Sequence, residues 1–345
     1  MSVFVPIPES EQQSVGELLT RTFHSDPEAV SFRPDVLRWK YFSAHPQWDG
    51  TRSYGVKHSD ELVAHGGVWP VCLRSRSNKV SAIHLIDWAA TKGSPGAGIL
   101  LVRKFAQMTD VLLTIGGSAD TRAILPKLGY KHSNDLRYYA RVVRPWLQFR
   151  TSPQRNWKVP LRLVRNALWS LGSKRVPESW RATRVSQFDN SHQAVLAGSP
   201  GDVICSWRSP SSLNYVLACP AAEFSGFSIL ADDKQRGYFV LAKLGGQTRI
   251  VEIRLDREDQ QTWLAACKLA THVAAQDPET CEIVTATSQE SIATAFQNVG
   301  FRLRRSDPIY AFDPRGLLTD ASRLGLSMLD GDACFLKDPH HPYLT

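Results

Sequence analysis

The sequence predicts an α/β protein built from two tandem copies of one unit, each a mixed β-sheet flanked by helices, joined by a basic helical connector. Three observations support this: short repeats shared by the two halves, one order of elements in both, and a glycine-rich turn in the first half alone. A chain of 345 residues is long enough for two domains. The predicted segments are the first unit at 1–142, the connector at 143–184, the second unit at 185–314 and a C-terminal tail at 315–345.

Three short matches recur in the same order in the two halves. Their offsets along the chain are 168, 171 and 171 residues, so an internal repeat explains them better than chance agreement of common dipeptides. The matched segments are Leu37-Arg38-Trp39-Lys40-Tyr41 with Cys205-Ser206-Trp207-Arg208, Leu128-Gly129-Tyr130-Lys131 with Val299-Gly300-Phe301-Arg302, and Tyr139-Ala140 with Tyr310-Ala311.

Hydrophobic periodicity and turn residues give the elements of the first half. A Ser-Asp-Glu turn between two strands indicates a hairpin, and Gly129 is placed to end a helix. The predicted elements are a helix over 12–22, strands over 53–57, 62–73 and 80–90, a helix over 99–108, a strand over 111–115, a helix over 120–128 and a strand over 136–142.

The second half has the same order of elements. Here an Asp-Asp-Lys turn separates the two strands of the hairpin, and Gly300 ends the last helix. A hairpin followed by a β-α-β unit predicts a mixed sheet with helices on its faces. The predicted elements are strands over 227–230, 238–244 and 248–255, a helix over 260–275, a strand over 282–285, a helix over 291–298 and a strand over 309–312.

Composition excludes several classes of protein. Apolar residues form 43% of the chain and charged residues 21%, which is typical of globular domains. There is no apolar run of about 20 residues and no signal-like start, so we expect a cytoplasmic protein. The six cysteines are far apart without C-x-x-C, and the ten histidines form no H-x-x-x-H, so neither a zinc site nor any other metal is expected.

The net charge of +8 is concentrated in the connector. Residues 141–184 contain eleven Lys or Arg and one acid, a charge of +10, which leaves about −2 for the rest of the chain. At helical spacing Leu161, Val164 and Leu168 lie on one arc with Trp157 and Leu171, while Lys158, Arg162 and Arg165 lie on another with Trp169 beside them. Three interpretations remain open: a helix packed across both units, a helix on an anionic membrane surface, or an RNA-contacting surface.

The turn at 92–98 is a candidate phosphate-binding loop. Its glycines lead from a strand edge into a helix, where backbone N–H groups and the helix dipole attract an anion. A turn that needs glycine only for its backbone angles is the alternative. The second half has Asp256, Glu258 and Asp259 and no glycine at this point, so we expect that helix to be capped and its unit to bind no cofactor.

Asp87 is the candidate catalytic base. It stands in the apolar strand over 82–90, where a charge without a partner would be costly, and strand alternation puts it on the same face as Leu85. A structural carboxylate is the alternative. His84 is the second catalytic candidate, with His65 as a further fallback base, and Glu252 occupies the place of Asp87 in the repeat. Arg38, Trp39 and Tyr54 are candidate acceptor-binding residues, since they offer donors and stacking faces to a sugar or an anion; the alternative is a helix end with Trp39 in the core.

These residues resemble the GNAT superfamily of N-acetyltransferases in tandem form. The likeness rests on Ile86-Asp87 at a strand end, Pro95-Gly96-Ala97-Gly98-Ile99 opening a helix, and Leu-Gly-Tyr-Lys at 128–131. It extends to enzymes of bacterial polysaccharide and cell-wall precursor clusters. The family's phosphate loop has Arg or Gln where this chain has Pro95, and its general-acid Tyr is replaced by Leu125 and Phe296 in the two units.

The resemblance implies a co-substrate and a set of contacts for it. The co-substrate would be acetyl-CoA or another acyl-CoA, attacked directly by an amine without an acyl-enzyme. The implied cofactor-binding residues are Trp88, Ala89, Ala90, Lys92, Gly96, Ala97, Gly98 and Ile99.

The sequence therefore predicts acyl-CoA-dependent N-acyltransfer to a primary amine on a small polar acceptor, such as an amino sugar or cell-wall precursor. Two other functions stay open: a non-catalytic tandem module that docks a membrane or protein partner, and aminoacyl-tRNA-dependent transfer. In the main interpretation nucleic acid is not a partner, the protein is cytoplasmic, and peripheral attachment of the connector to the inner face of the membrane stays open.

Overall fold

The computed structural model describes residues 2–26, 29–74, 79–152, 159–170, 175–192, 195, 203–256, 259–318, 324–338 and 341–345. It is a mixed α/β structure, as the sequence predicts. The α-helices of the described residues are α1 (Gln12–Phe23), α2 (Pro34–Tyr41), α3 (Ala97–Phe105), α4 (Ala119–Ile124), α5 (Pro145–Thr151), α6 (Val159–Ser170), α7 (Pro210–Leu217), α8 (Gln260–Gln276) and α9 (Glu290–Asn298).

The strands of both halves form one continuous sheet. Twelve strands follow the order β1-β2-β3-β4-β5-β13-β6-β12-β11-β10-β9-β7, with β8 pairing β3 and β14 pairing β8 at the side. The strands are β1 (Ser2–Pro6), β2 (Ser53–His58), β3 (Glu61–Arg74), β4 (Lys79–Ala90), β5 (Val111–Ile115), β6 (Lys131–Val142), β7 (Trp180–Val185), β8 (Ile204–Trp207), β9 (Glu223–Ala231), β10 (Lys234–Leu244), β11 (Gln247–Leu255), β12 (Glu282–Thr287), β13 (Arg302–Phe312) and β14 (Leu324–Gly325).

The two halves exchange their last strands in the centre of this sheet. Strand β13 of the second half pairs antiparallel with β5 of the first, while β6 of the first half pairs antiparallel with β12 of the second. The exchanged strands also pair with each other. Each half contains one parallel pair in the main sheet, β4 with β5 and β11 with β12, and the side strands β8 and β14 are also parallel. The pattern is reciprocal, which supports the internal repeat.

The repeat matches correspond in the structure at two of three places. Gly129 and Gly300 both adopt a positive φ, 89° and 97°, at the turn that leads into an exchanged strand. The tyrosines of the third match lie in those strands, Tyr139 in β6 and Tyr310 in β13. The first match does not correspond, because Trp39 is in helix α2 and Trp207 is in strand β8.

The sequence placed most central elements within a few residues of their observed bounds. Strand β5 has the predicted bounds, and α8 and α9 each differ by one residue at one end. Both exchanged strands begin several residues before the predicted start, because their polar first halves carry no apolar pattern. The short strands β1, β7, β8 and β14 were not predicted.

A β-bulge interrupts strand β4 at Asp87. Ile86 lies opposite Gly67 and Ala89 opposite His65, so Asp87 and Trp88 together face one residue of β3. Asp87 has a φ of 47°, a region that Asp tolerates better than most residues. The prediction from strict alternation is wrong here: Leu85 packs in the core beside Phe105, whereas the Asp87 carboxylate turns to the opposite face, towards helix α2.

The segment that the sequence assigned to a C-terminal tail packs into the core between the two halves. Its Met328, Leu329, Asp330 and Phe335 are buried, and Ser327 forms a bridge to Thr287 at the end of β12. Two 3₁₀ turns, Met328–Asp330 and Asp332–Cys334, shape this segment. Residues 324–335 therefore contribute to the candidate sites of both halves.

Helix α6 of the connector packs with its polar face inward. Asn166 is buried and donates to Gln148 Oε1 at 2.9 Å, and Arg165 lies 4.3 Å from the ring of Trp169. In contrast Leu161, Val164 and Leu168 are 61–64% exposed, so of the three interpretations of this helix the one that buries these residues between two units is not met. Trp157, Lys158 and Leu171 lie outside the described residues. No helix in the described part of the chain is long and apolar enough to cross a membrane.

Candidate active site

The strands β4 and β5 separate in the middle of the sheet, and a cavity lies at the point of separation. Their parallel pairing ends at His84 and Leu113, after which the two strands diverge. This cavity, which we call the active cavity, measures about 1020 Å³. It is lined by both diverging strand ends, by the loop before α3 and by residues 327–336. It passes from the N-terminus of α3 on one face of the sheet to Asp87 on the other.

The N-terminus of α3 forms one end of this cavity. Gly96 is the N-cap, with a φ of 84° and no side chain to cap the free N–H groups of the first turn. A Cβ at Gly96 would meet nothing within 4 Å, so the space in front of the helix is open. The Trp88 indole donates to the Gly98 carbonyl at 3.1 Å and connects the strand to the helix. Such an end attracts phosphate.

Seven of the eight predicted cofactor-binding residues line the cavity. The exception is Ala97, which starts α3 and is buried against the core. The residues that line it are Trp88, Ala89, Ala90, Lys92, Gly96, Gly98 and Ile99.

The equivalent position of the second half is closed. Helix α8 is capped by Asp259, whose side chain accepts from the Thr262 N–H at 2.9 Å, as the acidic sequence predicts. Between the diverging strands β11 and β12 only about 10 Å³ remain, because Leu326 and Ser327 fill the space. A volume of this size is at the limit for a single water molecule. Within the described residues, only the first half offers room for a cofactor at its strand separation.

A buried cluster of two carboxylates and one lysine forms the other end of the active cavity. Lys40 of α2 is 1% exposed; its Nζ pairs with Asp87 and, at 2.9 Å, with Asp332. The Tyr41 hydroxyl donates to the same Asp87 oxygen. Both carboxylates are about one-eighth exposed and line the cavity. The cluster carries two negative charges and one positive charge, so its net charge towards the cavity is negative.

Burial and pairing oppose each other in the pKa values of this cluster. Burial by itself would raise the pKa of Asp87, but Lys40 and the Tyr41 hydroxyl hold it below its ordinary value. Burial likewise opposes the charge on Lys40, yet Asp332 and Asp87 raise the pKa of this lysine. Asp87 and Lys40 are therefore ionised at neutral pH, and Asp87 is a proton acceptor of low basicity.

The two candidate histidines are held as neutral structural groups. His84 lines the cavity, but its Nδ1 donates to the Asp330 carbonyl at 2.9 Å and its Nε2 accepts from the Ile115 N–H at 3.3 Å. Burial lowers its pKa. His65 is buried between Ser53 and the Asp87 backbone, and burial lowers its pKa to about 4. Neither ring has a free nitrogen directed at the cavity.

None of the three predicted acceptor-binding residues lines the active cavity. Arg38 is on the surface, paired with Glu9 at 2.6 Å. Trp39 is in the core, stacked on Tyr215 with a centroid distance of 4.8 Å. Tyr54 is buried on the opposite face of the sheet, stacked on Phe4. The acceptor role is unsupported for all three, because each side chain already has a structural partner.

Sequence reasoning missed Lys40, Tyr41 and Asp332 as site residues. Lys40 and Tyr41 directly follow Trp39. Adjacent side chains of a helix point in different directions, so the sequence indicated the right segment but not which of its side chains face Asp87. Asp332 lies 245 positions after Asp87, in a segment without periodicity. Within the described residues no group of three or more His, Cys, Asp or Glu is placed to hold a metal ion.

The solved structures that this chain resembles include N-acetyltransferases and an N-myristoyltransferase. The chain is similar to N-myristoyltransferase of Saccharomyces cerevisiae with bound myristoyl-CoA, at 13% identity and a TM-score of 0.61 over 90% of this chain and 79% of that one. It is also similar to a tandem GNAT protein from the clavulanic acid biosynthesis pathway, at 14% identity and a TM-score of 0.56 over 91% and 98%. A probable N-acyltransferase of Enterococcus faecalis matches at 14% identity and a TM-score of 0.57 over 90% and 72%.

No family model and no curated protein matches the sequence itself. The chain has the GNAT fold in its tandem arrangement, as its motifs indicate. The structural likeness establishes the fold. At identities of 13–14% it does not establish the reaction, which depends on the site.

Proposed function

We propose that the chain transfers an acyl group from acyl-CoA to the primary amine of a small polar acceptor. The observation that carries this proposal is the single cavity that joins an open helix N-terminus to a negatively charged cluster across the separation of β4 and β5. An amino sugar or a cell-wall precursor is the acceptor class that we favour. The second half serves as support, since its own strand separation is filled.

The cofactor end of the cavity suits coenzyme A. The pyrophosphate would bind the free N–H groups of the first turn of α3, with the Lys92 ammonium nearby. The pantetheine arm would then run between the diverging strands, where the unpaired edge of β4 offers backbone groups. This path brings the thioester to the face of the sheet on which Asp87 and Asp332 lie.

The reaction needs an uncharged amine next to the thioester. The net negative charge of the cluster attracts the substrate as an ammonium ion, and Asp87, directly or through water, accepts the proton. The amine nitrogen then forms a bond to the thioester carbonyl carbon, the carbon–sulfur bond breaks, and the thiolate takes a proton from water. No side chain is assigned as general acid, since Leu125 stands where the family has its tyrosine.

Release of free thiol from acyl-CoA tests the proposal. With acetyl-CoA and longer acyl-CoAs, a panel of amino sugars and amino acids should include acceptors that raise thiol release above the rate without amine. The acylated amine should accumulate in equal amount by mass spectrometry. Binding of CoA without transfer to any amine would instead support the non-catalytic module.

We propose further that helix α6 attaches the protein to an anionic membrane surface. Its exposed side chains Leu161, Val164 and Leu168 follow i, i+3, i+7 spacing and form one apolar face. In the adjacent helix α5, Trp146 is also 61% exposed. Residues 141–184, which include α5, α6 and part of β7, carry a charge of +10, and exposed apolar side chains in a basic segment are typical of attachment to an anionic interface.

Vesicle binding tests this attachment. The protein should sediment with vesicles of phosphatidylglycerol and phosphatidylcholine, bind pure phosphatidylcholine weakly, and lose affinity as salt rises. The triple change Leu161→Ser, Val164→Ser and Leu168→Ser should weaken binding on the order of 10–100-fold, because insertion of those side chains is lost. The control Val3→Ser with Leu317→Ser removes exposed apolar side chains elsewhere and should bind normally. Equal binding by both variants, or none by the parent, would refute the proposal.

A further inference from the structure

A second cavity of about 850 Å³ adjoins the active cavity. The two cavities share five lining residues, so a ligand in the second can extend to the carboxylate cluster of the first. The loop between α1 and α2, the turn between β10 and β11 and residues 333–338 form most of its wall. The shared residues are Tyr138, Arg305, Met328, Ala333 and Leu336.

Four cationic side chains line this second cavity, and the acids Asp26 and Asp338 line it as well. Two of the cations are neutralised by nearby acids: Arg305 pairs with Asp307 at 2.9 Å, and Lys243 with Asp277 at 3.1 Å. The other two, Arg249 and Lys337, have no carboxylate within ion-pair distance in the described part of the chain. Other buried cations of the chain vary in this respect: Lys40 and Arg208 are each paired with two acids, whereas Arg52 is held by two carbonyls and the Tyr215 hydroxyl.

Arg249 is 8% exposed and only partly satisfied. Its Nε donates to Gln247 Oε1 at 2.7 Å and its Nη1 to the Ala333 carbonyl at 2.6 Å, and the described residues provide no acceptor for Nη2. The Nζ of Lys337 donates to the carbonyls of Leu244, at 3.0 Å, and Gly245. A buried cation held only by neutral groups costs free energy unless an anion joins it.

The pKa values of both cations are lowered, because burial disfavours their charged forms. Burial lowers the pKa of Arg249 to about 10. Burial and the charge of Arg249 lower the pKa of Lys337. The nearby acid that acts on both is Glu282, whose oxygens are occupied by Gln247 and by the backbone N–H groups of residues 344 and 345. Glu282 is not among the residues that line the cavity, so its charge acts on Arg249 and Lys337 from outside the cavity.

We propose that Arg249 and Lys337 bind an oxyanion of the acceptor, a carboxylate or a phosphate, in this second cavity. This inference deepens the proposed function and depends on it. An acceptor with an amine at one end and an anion at the other would place the amine at the Asp87–Lys40–Asp332 cluster and the anion at the two cations. The two ends of the combined cavity are then complementary to the two charges of one molecule.

Anion binding to the CoA-saturated protein tests the inference. Inorganic phosphate and succinate, titrated at constant ionic strength against sodium chloride, should raise the melting temperature of the parent. Arg249→Gln and Lys337→Gln should each weaken the binding that causes this rise about 10–100-fold, the effect of losing a charged hydrogen-bond donor. Arg236→Gln is the matched control: it removes a half-buried arginine, paired with Asp256, outside the cavity, and should leave the rise unchanged.

The arms of the experiment separate the sources of the anion. Binding of phosphate but not succinate assigns a phosphorylated acceptor, and the reverse assigns a carboxylate. If CoA affinity falls in Arg249→Gln, the two cations bind the nucleotide and the acceptor assignment is overturned. No rise beyond sodium chloride, or an equal rise in both cavity variants, also overturns it. Failure of the proposed function is distinct, because the parent itself would then either not bind CoA or bind it without releasing thiol with any amine.

Discussion

Asp87 has a positive φ, and its carboxylate is already bound by neighbouring side chains. Its φ of 47° arises at the bulge of β4, and the bulge turns the carboxylate away from the Leu85 face towards Lys40 and Tyr41. Without the extra residue the carboxylate would point into the apolar core below α3. The bulge thus accounts for the presence of a charge on this strand.

Replacing Asp87 with Asn tests its role as the proton acceptor. Asp87→Asn should fold, since Asp332 remains to pair Lys40, and should keep CoA affinity. Turnover should fall roughly 10²–10⁴-fold, because the amide cannot accept the amine proton. Thiol release and CoA calorimetry on the same preparation measure both quantities.

Asp332→Asn is the comparison variant for this prediction. It removes the same charge from Lys40 but leaves Asp87, so its turnover should stay well above that of Asp87→Asn. Normal turnover in a folded Asp87→Asn protein would exclude Asp87 from proton transfer. Equal losses in both variants would show that the charge of the cluster matters and not one acceptor.

At this scale the sequence located residues that line the cavity better than it located the partners of Asp87. Gly96, Gly98 and Trp88 lie close together along the chain, so a local pattern reveals them. The partners of Asp87 come from a helix 46 positions before it and a segment 245 positions after it, and no local pattern reports such contacts. The predicted acceptor-binding residues lie away from the cavity, since Trp39, the most distinctive residue of their segment, packs in the core.

Among the elements, residues 324–335 have a double role. They supply Asp332 to the active cavity and fill the strand separation of the second half with Leu326 and Ser327. Glu252, the repeat counterpart of Asp87, is there paired with Arg208 and Arg254 at 3.3 and 2.7 Å, and accepts from Ser327 at 2.9 Å. The same strand position thus holds our proposed proton acceptor in one half and a carboxylate paired with two arginines in the other.

This buried network predicts a defined acid sensitivity. Burial opposes the charge of Glu252, but Arg208 and Arg254 lower its pKa to about 2, from 4.5. A lowered pKa stabilises the fold above pH 4.5, and the stabilisation is lost as the pH falls towards about 2. The free energy of unfolding in urea, measured between pH 7 and 3, should therefore fall steeply below pH 4.5.

Glu252→Gln separates this contribution from the other carboxylates. The variant should be less stable than the parent at pH 7, because Arg208 and Arg254 lose a charge partner, and its stability should decline less below pH 4.5. Glu279→Gln, at a position 76% exposed, should follow the parent curve. A parallel decline in Glu252→Gln and the parent would show that Glu252 does not carry the effect.

The sequence predicted the long apolar elements and missed the short polar ones. Strands such as β5 and helices such as α8 have a period that packing imposes on their residues. Strands β7 and β8 are short and sit at the periphery of the sheet, where few positions must be apolar. Helix α6 was predicted as an amphipathic helix, but periodicity cannot say which of its faces meets the protein.

For the whole molecule, the exchange of β6 and β13 makes the two halves interdependent. Each half completes its sheet with a strand of the other, so neither has its observed set of strands alone. Periodicity could not predict this exchange, because the exchanged strands have the same sequence pattern in either partner. The arrangement gives a reason for keeping a second unit whose own cofactor position is closed.

Binding of CoA tests the central claim most directly. CoA at 100 times its dissociation constant should stabilise the parent by about 2.7 kcal/mol, which a thermal scan and calorimetry detect. Gly96→Asp puts a carboxylate in front of the helix N-terminus and should abolish binding. Gly50→Asp is the matched control, since both glycines have a φ near 80° and open space where the Cβ would go, and it should bind CoA as the parent does. CoA binding by Gly96→Asp that equals the parent's, or no CoA binding by the parent, would contradict a phosphate-binding site at the N-terminus of α3.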